Sequence, residues 1–245
     1  AALPGVDVVA GGFPCQDLSQ AGQTAGIKGR NSGLVSHIFR LISRPGWRPH
    51  WLLLENVPFM LQLDHGEAMR FLTHSLDELG YFWAYRVVDS RAFGLPQRRQ
   101  RVILLASKIH DPGTVLFADE AGELEVGHDP GLACGFFWTE GIRGLGWAVD
   151  AIPTLKGGST LGIPSPPAII FPDGLVGLPD IRDAERLQGF TAEWTLPAEG
   201  SHHRRGHRWK LVGNAVSVPV FEWVGDRLSQ PGTYDDSGDK ELAPG

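Results

Sequence analysis

Apolar positions in this chain follow two periods. Val6 to Ala10 is a short, β-branched run closed at once by Gly11-Gly12 and Pro14, the pattern of a buried strand ending in a loop. Leu34, Val35, Ile38, Phe39, Leu41 and Ile42 recur at helical spacing until Pro45-Gly46 stops them. Trp51 to Leu54 is a second buried strand, and it delivers Glu55-Asn56 to its carboxyl end. Met69 to Leu79 reads as a helix with Gly80 as its stop, and Tyr81 to Val88 as a strand. After a polar turn around Gln97 to Arg101, Val102 to Ala106 is a strand again. Strands alternating with helices predict an α/β fold: a partial, doubly wound, mostly parallel sheet with its loops gathered at one edge.

From about residue 110 to 180 the pattern changes, with Gly and Pro abundant and helical periodicity absent. Helical spacing returns at Ile181 to Gln188, where Asp180 can cap the start and Gly189 the end. A last helix is expected from Val218 to Leu228, with Pro219 tolerated in its first turn. The expected organisation is a main domain begun over 1–108, a small irregular domain over 109–180 and a return to the main domain over 181–230. An acidic, poorly ordered tail over 231–245 completes it.

Composition narrows the classes. With 32 Gly and 18 Pro in 245 residues, an all-helical bundle is excluded, and 42% hydrophobic residues suit a globular core. Two cysteines, Cys15 and Cys134, make no disulfide framework and no metal-ligand spacing, so a reducing compartment and no metal are expected. No run approaches the roughly 18 apolar residues of a membrane span, and the opening residues do not read as a signal peptide. The expectation is a cytoplasmic protein with no membrane partner. The net charge of −6 argues against indiscriminate nucleic-acid binding, yet Arg86 to Lys108 holds six basic residues against one acid. The stretch HHRRGHRWK, His202 to Lys210, is a second basic cluster, suited to phosphate or to a solvated loop.

Cys15 lies in GGFPCQDLSQAG directly after a buried strand, which makes it a nucleophile candidate; a small buried residue is the other reading. Glu55 ends the second strand in LLLENV and would arrive at the same sheet edge, where open α/β sheets place their sites. In Gln97-Arg98-Arg99-Gln100-Arg101, residues Gln97, Arg99 and Arg101 share one face if extended, and arginines there suit phosphate or base contact or an ordinary basic turn. Cys134 reads as buried and inert. Trp138, Arg143 and Trp147 are candidates for groove contact or for the core of a small domain.

PCQ within GGFPCQDLS, then ENV, then QRRQR before a strand, then RLQGF, then GNAVSVPV, in that order, strongly resembles the cytosine-C5 DNA methyltransferases. The resemblance covers Val6 to Ser107 and resumes from about Asp180 to Leu228, and the segment between occupies the place of the family's target-recognition domain. It implies that Cys15 is the nucleophile adding to C6 of cytosine. It also implies that Glu55 binds the N3/N4 edge of the base and helps protonate N3. Arg99 and Arg101 match the family's paired arginines, with Arg101 the better match for holding the base and the catalytic loop. Gln16 and Ser19 fall in the loop that would close over DNA, and with Gln97 and Arg98 they are the implied DNA contacts. The target base would be flipped out of duplex DNA.

The resemblance further implies S-adenosylmethionine as methyl donor, with Leu34, Asn214 and Ala215 at positions lining its site. The family's Gly-rich motif and the two acids after it would lie before Val6, so a missing amino-terminal segment or partner subunit is expected. Leu18 stands where the family usually has Phe. The implied activity is DNA cytosine-C5 methylation of the restriction-modification kind. A tRNA-methylating relative and a non-catalytic remnant or one subunit of a split enzyme are the alternatives.

Overall fold

A computed structural model describes residues 5–13, 34–47, 49–119, 131–137, 146–157, 166–199, 205–235 and 237. In chain order the elements are β1 (Val8–Gly12), α1 (Leu34–Ile42), β2 (Trp51–Asn56), α2 (Glu67–Glu78), β3 (Phe82–Asp89), β4 (Gln97–Arg98) and β5 (Gln100–Ser107). There follow α3 (Gly113–Leu116), β6 (Cys134–Phe137), β7 (Gly146–Val149), β8 (Ile152–Pro153), β9 (Ala168–Ile170) and β10 (Val176–Gly177). The chain then closes with α4 (Ile181–Leu187), α5 (Arg205–Asn214) and α6 (Val218–Ser229). They divide into two compact units, one of Ala1–Val87, Arg101–Glu120 and Asp226–Gly245, the other of Val88–Gln100 and Ala121–Gly225.

The first unit is organised on a four-stranded sheet of order β1-β2-β5-β3. β1 and β2 are parallel, from Val8 opposite Trp51 to Gly12 opposite Glu55. β2 and β5 are antiparallel, from Trp51 opposite Ser107 to Asn56 opposite Val102. The fold is α/β as expected, but the sheet is mixed where a mostly parallel one was expected. The reason is a short link: Asp89 and Gln100 are joined by ten residues, fewer than the dozen or so that a parallel crossover needs. β3 and β5, neighbours in the sheet, are therefore joined without a crossover helix.

β2 and β5 are apolar on both faces and almost wholly buried, as central strands are. Phe39 and Ile42 of α1 and Leu72 and Leu76 of α2 share a core with Leu52, Leu54 and Leu104. Gly80, at φ +73°, ends the α2 segment in the left-handed conformation expected of it. Gly232 and Tyr234, expected in a poorly ordered tail, pack on the α3 turn. The Gly232 amide donates to the Thr114 carbonyl at 3.0 Å, and the Tyr234 ring lies 5.0 Å from Phe117.

The second unit holds an antiparallel sheet of order β10-β9-β6-β7 and a parallel β4-β8 pair. Asp180 caps α4 with a full capping box, accepting from the Arg182 amide while Asp183 accepts from the Asp180 amide. Gly189 takes over at φ +90°, where a Cβ would stand 2.6 Å from Pro219 Cδ. That close approach lets the Val218 amide donate to the Gln188 carbonyl at 2.9 Å, fixing the start of α6 on the end of α4. α5 was not expected: in the described part of the basic cluster the chain is helical, and Trp209 and Val212 are buried in a core with Ile152, Leu155 and Ala184. Among the described residues no helix is long and apolar enough to cross a membrane.

Candidate active site

β2 brings Glu55 to the carboxyl end of the parallel pair, facing Gly12 in the ladder. A Cβ on residue 12 would lie 3.3 Å from Glu55 Oε2, a tight contact that the carboxylate would relieve by shifting a few tenths of an ångström. The Arg101 Nε donates to Glu55 Oε1 at 2.8 Å, with the side chains 15% and 18% exposed. Burial lowers the Arg101 pKa from its ordinary value while the Glu55 carboxylate, by charge and hydrogen bond, pulls it back up. The guanidinium remains charged at any working pH. The pair is thus an oriented carboxylate at a strand end, shielded but open to solvent on one side.

Asn56, next along β2, is 6% exposed. Its Nδ2 donates to the Phe13 carbonyl at 3.0 Å, and its Oδ1 accepts from the Val57 amide at 2.8 Å. β1's ladder ends at Gly12, so this side chain continues the strand pairing one residue further. Cys15, Gln16 and Ser19 lie outside the described residues. Leu34 begins α1, and its side chain also lies outside them.

In the second unit, exposure through the basic motif alternates as the extended reading requires: Gln97 and Arg99 are buried and Arg98 is exposed. Gln97 is 0% exposed, which corrects its expected place at a DNA surface. Its Nε2 donates to the Leu187 carbonyl at 2.8 Å and to Gln188 Oε1 at 3.1 Å, and its Oε1 accepts from the Leu155 amide at 3.0 Å. A buried amide spends its polar groups inside the protein because leaving them unpaired is costly. Arg99, 2% exposed, donates to the Ala215 carbonyl at 2.6 Å and to Gly213 at 3.4 Å. Gln188 donates to the Val212 carbonyl at 2.9 Å, and Ser217 links Gln188 at 3.2 Å to Ser90 at 2.7 Å.

These residues clamp the carboxyl end of α5 and the turn that leaves it. Gly213 is bound to be glycine, since a Cβ would fall 2.3 Å from the Gly157 nitrogen. With carbonyls 212, 213 and 215 drawn inward, Asn214 is left exposed and Ala215 half-buried. Residue-type reasoning had not singled out Gln188, Ser217, Glu185 or Arg208. Gln188 stands within the RLQGF motif, and Glu185 immediately precedes it. Ser217 stands in GNAVSVPV, so motif membership was the available signal. Arg208 carried no such signal, because it reads as part of a basic surface stretch. Glu185 and Arg208 are both buried and joined at 3.0 Å.

Trp147 is half-buried and stacks on Phe136 at 5.9 Å, while Trp138 and Arg143 lie outside the described residues. Cys134 is a half-buried thiol 3.9 Å from the Leu132 carbonyl.

Residues 1–118 match the family model of C-5 cytosine-specific DNA methylases. Over 239 residues the chain is 54% identical to a type II methyltransferase, M2.BsuMI, of Bacillus subtilis strain 168, covering 94% of this chain and 61% of that protein. It is 36% identical to the type II methyltransferase M.BsuFI of Bacillus subtilis, covering 93% of this chain and 59% of that one. The chain thus spans about three-fifths of the length of these relatives. Among solved structures, the Dnmt2 methyltransferase of S. pombe superposes with a TM-score of 0.59 at 16% identity, over 91% of this chain and 78% of that one. At that identity the likeness is one of fold.

Proposed function

We propose that this chain, a member of the C-5 cytosine-specific DNA methylase family, methylates C5 of a cytosine flipped out of duplex DNA, as a cytoplasmic enzyme of a restriction-modification system. The observation that carries the reading is the Glu55–Arg101 pair at the end of β2, in a chain 54% identical to a type II methyltransferase.

The chemistry follows from the side chains. C5 of cytosine is a poor nucleophile until something adds to C6, and a thiolate is the strongest side-chain nucleophile for that task. Cys15 supplies it. As Cys15 Sγ bonds to C6, negative charge builds along N3 of the ring. Glu55 accepts from the N4 amine and, with a proton taken up from solvent on its other oxygen, donates to N3 as that charge grows. Arg101 holds the carboxylate in one orientation, so little reorganisation is left for the moment of reaction. Once C5 carries its methyl group, loss of the C5 proton to solvent, return of the N3 proton to Glu55 and expulsion of the Cys15 thiolate restore the aromatic ring.

S-adenosylmethionine would supply an electrophilic methyl group. The clamped 213–215 turn fits a place for it, because its carbonyls are tied inward and Asn214 faces outward on a rigid backbone. Asn214 and Ala215 would hold the donor. Arg99 and Gln97 act in this reading as positioning residues for that turn. Arg98, Gln16 and Ser19 would contact the DNA, with 109–180 as the recognition segment.

The test is transfer of labelled methyl groups to duplex DNA, with tRNA as the competing substrate. Cys15→Ser is expected to abolish transfer, and Glu55→Gln to cut it by about 100-fold or more. A Cys15→Ser protein with full activity would refute the mechanism, and methylation of tRNA alone would replace the substrate.

A further inference from the structure

We propose that Asn56 is a positioning residue for the Cys15 segment, an inference that rests on the function proposed above. β1 and β2 pair from Val8–Trp51 to Gly12–Glu55, and one step further the backbone ladder stops. At that step the Asn56 carboxamide takes the ladder's place, donating to the Phe13 carbonyl at 3.0 Å. Phe13 is two residues before Cys15 and is itself held in the core, 7% exposed. The carboxamide is in turn fixed at its other end, where Oδ1 accepts from the Val57 amide at 2.8 Å. It is 6% exposed, so water competes little for either bond.

One side chain thereby fixes the Phe13 carbonyl, two residues before Cys15, and its own backbone neighbour is Glu55. Phe13 and Glu55 are referenced to each other through a single buried amide. Aspartate at 56 would keep the acceptor for Val57 and lose the donor for Phe13, so the proposal concerns the Nδ2 bond specifically.

Two measurements on the full chain test it. In kinetics with duplex DNA, Asn56→Asp and Asn56→Ala should both lower kcat about tenfold or more, with KM values within about twofold, because misplacing a reacting group costs the chemical step and not the binding. Leu72→Ala, which loosens the same core from α2, should lower the melting temperature and leave kcat near the wild-type value. In the second measurement, Cys134→Ser leaves Cys15 as the sole thiol of a two-cysteine chain. Asn56→Ala should then speed its alkylation by iodoacetamide about fivefold, the equivalent of one lost hydrogen bond of about 1 kcal/mol. Leu72→Ala should not.

Wild-type activity with an equally active Asn56→Asp variant overturns the inference alone. An equal fall in kcat for Leu72→Ala also overturns it, since the role is then general stability. A wild type that transfers nothing to DNA overturns the functional reading, and the alkylation rates then decide on Asn56 by themselves, with unchanged rates refuting it.

Discussion

Glu185 is the residue whose replacement should damage this protein most without touching the proposed chemistry. It is 0% exposed, and four donors converge on its two oxygens. The Glu193 amide reaches Oε2 at 2.5 Å, while the Thr195 amide at 2.8 Å, the Thr195 hydroxyl at 2.5 Å and Arg208 Nη2 at 3.0 Å reach Oε1. Arg208 is itself 5% exposed and also donates through Nε to the Thr195 hydroxyl. Glu193 sits at φ +69°, a conformation a non-glycine residue holds only when its surroundings impose it.

Glu185→Gln conserves volume but replaces one acceptor oxygen with a donor, in a pocket where every neighbour is a donor. Arg208 stays buried and loses its carboxylate partner. Breaking such a pair by removing one partner costs about 3–5 kcal/mol, against a total domain stability of about 5–15 kcal/mol. Urea denaturation at neutral pH should show that loss as a lowered midpoint. The dependence on pH gives a second check. Burial pushes the Glu185 pKa up, but the Thr195 hydroxyl and amide, Arg208 and the Glu193 amide outweigh it, and the folded value lies below the ordinary 4.5. A depressed folded pKa means that the stabilisation is fully present above the unfolded value and fades as pH falls through the folded one. The gap between wild type and Glu185→Gln should therefore be widest near neutrality and close on acidification below 4.5. A gap under about 1 kcal/mol at neutral pH, or one that persists unchanged into acid, would refute the reasoning.

Two further outcomes follow from the clamp around residue 213. Gly213→Ala places a methyl group 2.3 Å from a backbone nitrogen, so the turn must move, and a loss of about 1–3 kcal/mol or more in thermal denaturation is expected. Gln97→Leu strands the Leu155 amide and the Leu187 carbonyl, and should cost about 2–3 kcal/mol of stability. A loss under about 1 kcal/mol in thermal denaturation would return Gln97 to the surface.

The sequence revealed those elements whose burial is periodic. α1 spans Leu34–Ile42, the run that its apolar spacing marks, and α4 begins where Asp180 caps it. The strand directions were less legible, because apolar runs carry no sign of orientation; the length of the 90–99 link did carry it. α5 escaped because its inward residues are Arg208, Trp209, Val212 and Gly213, and a buried arginine looks like a surface one in a basic stretch. Gln97 was misread for a related reason. Glutamine amid arginines suggests a polar surface, and only the positions of Leu155, Leu187 and Gln188 show that the amide has partners inside.

These misreadings divide the motif residues into two physical kinds. Glu55, Arg101, Arg98 and Asn214 keep part of their side chains within reach of a ligand. Gln97, Arg99, Gln188 and Ser217 are buried and spend their polar atoms on backbone carbonyls, amides and each other. A buried polar network tolerates no partial substitution, since each unpaired group costs more than its bond was worth. A network of this kind therefore specifies one geometry of the turn at 213–215, where an apolar core of equal volume would permit several. Replacement of Arg98 or Asn214 should lower activity and leave the melting curve intact, whereas replacement of the buried ones should lower both together. The same division explains why a string of polar motifs can run through the core of the second unit: they fix where a backbone stands.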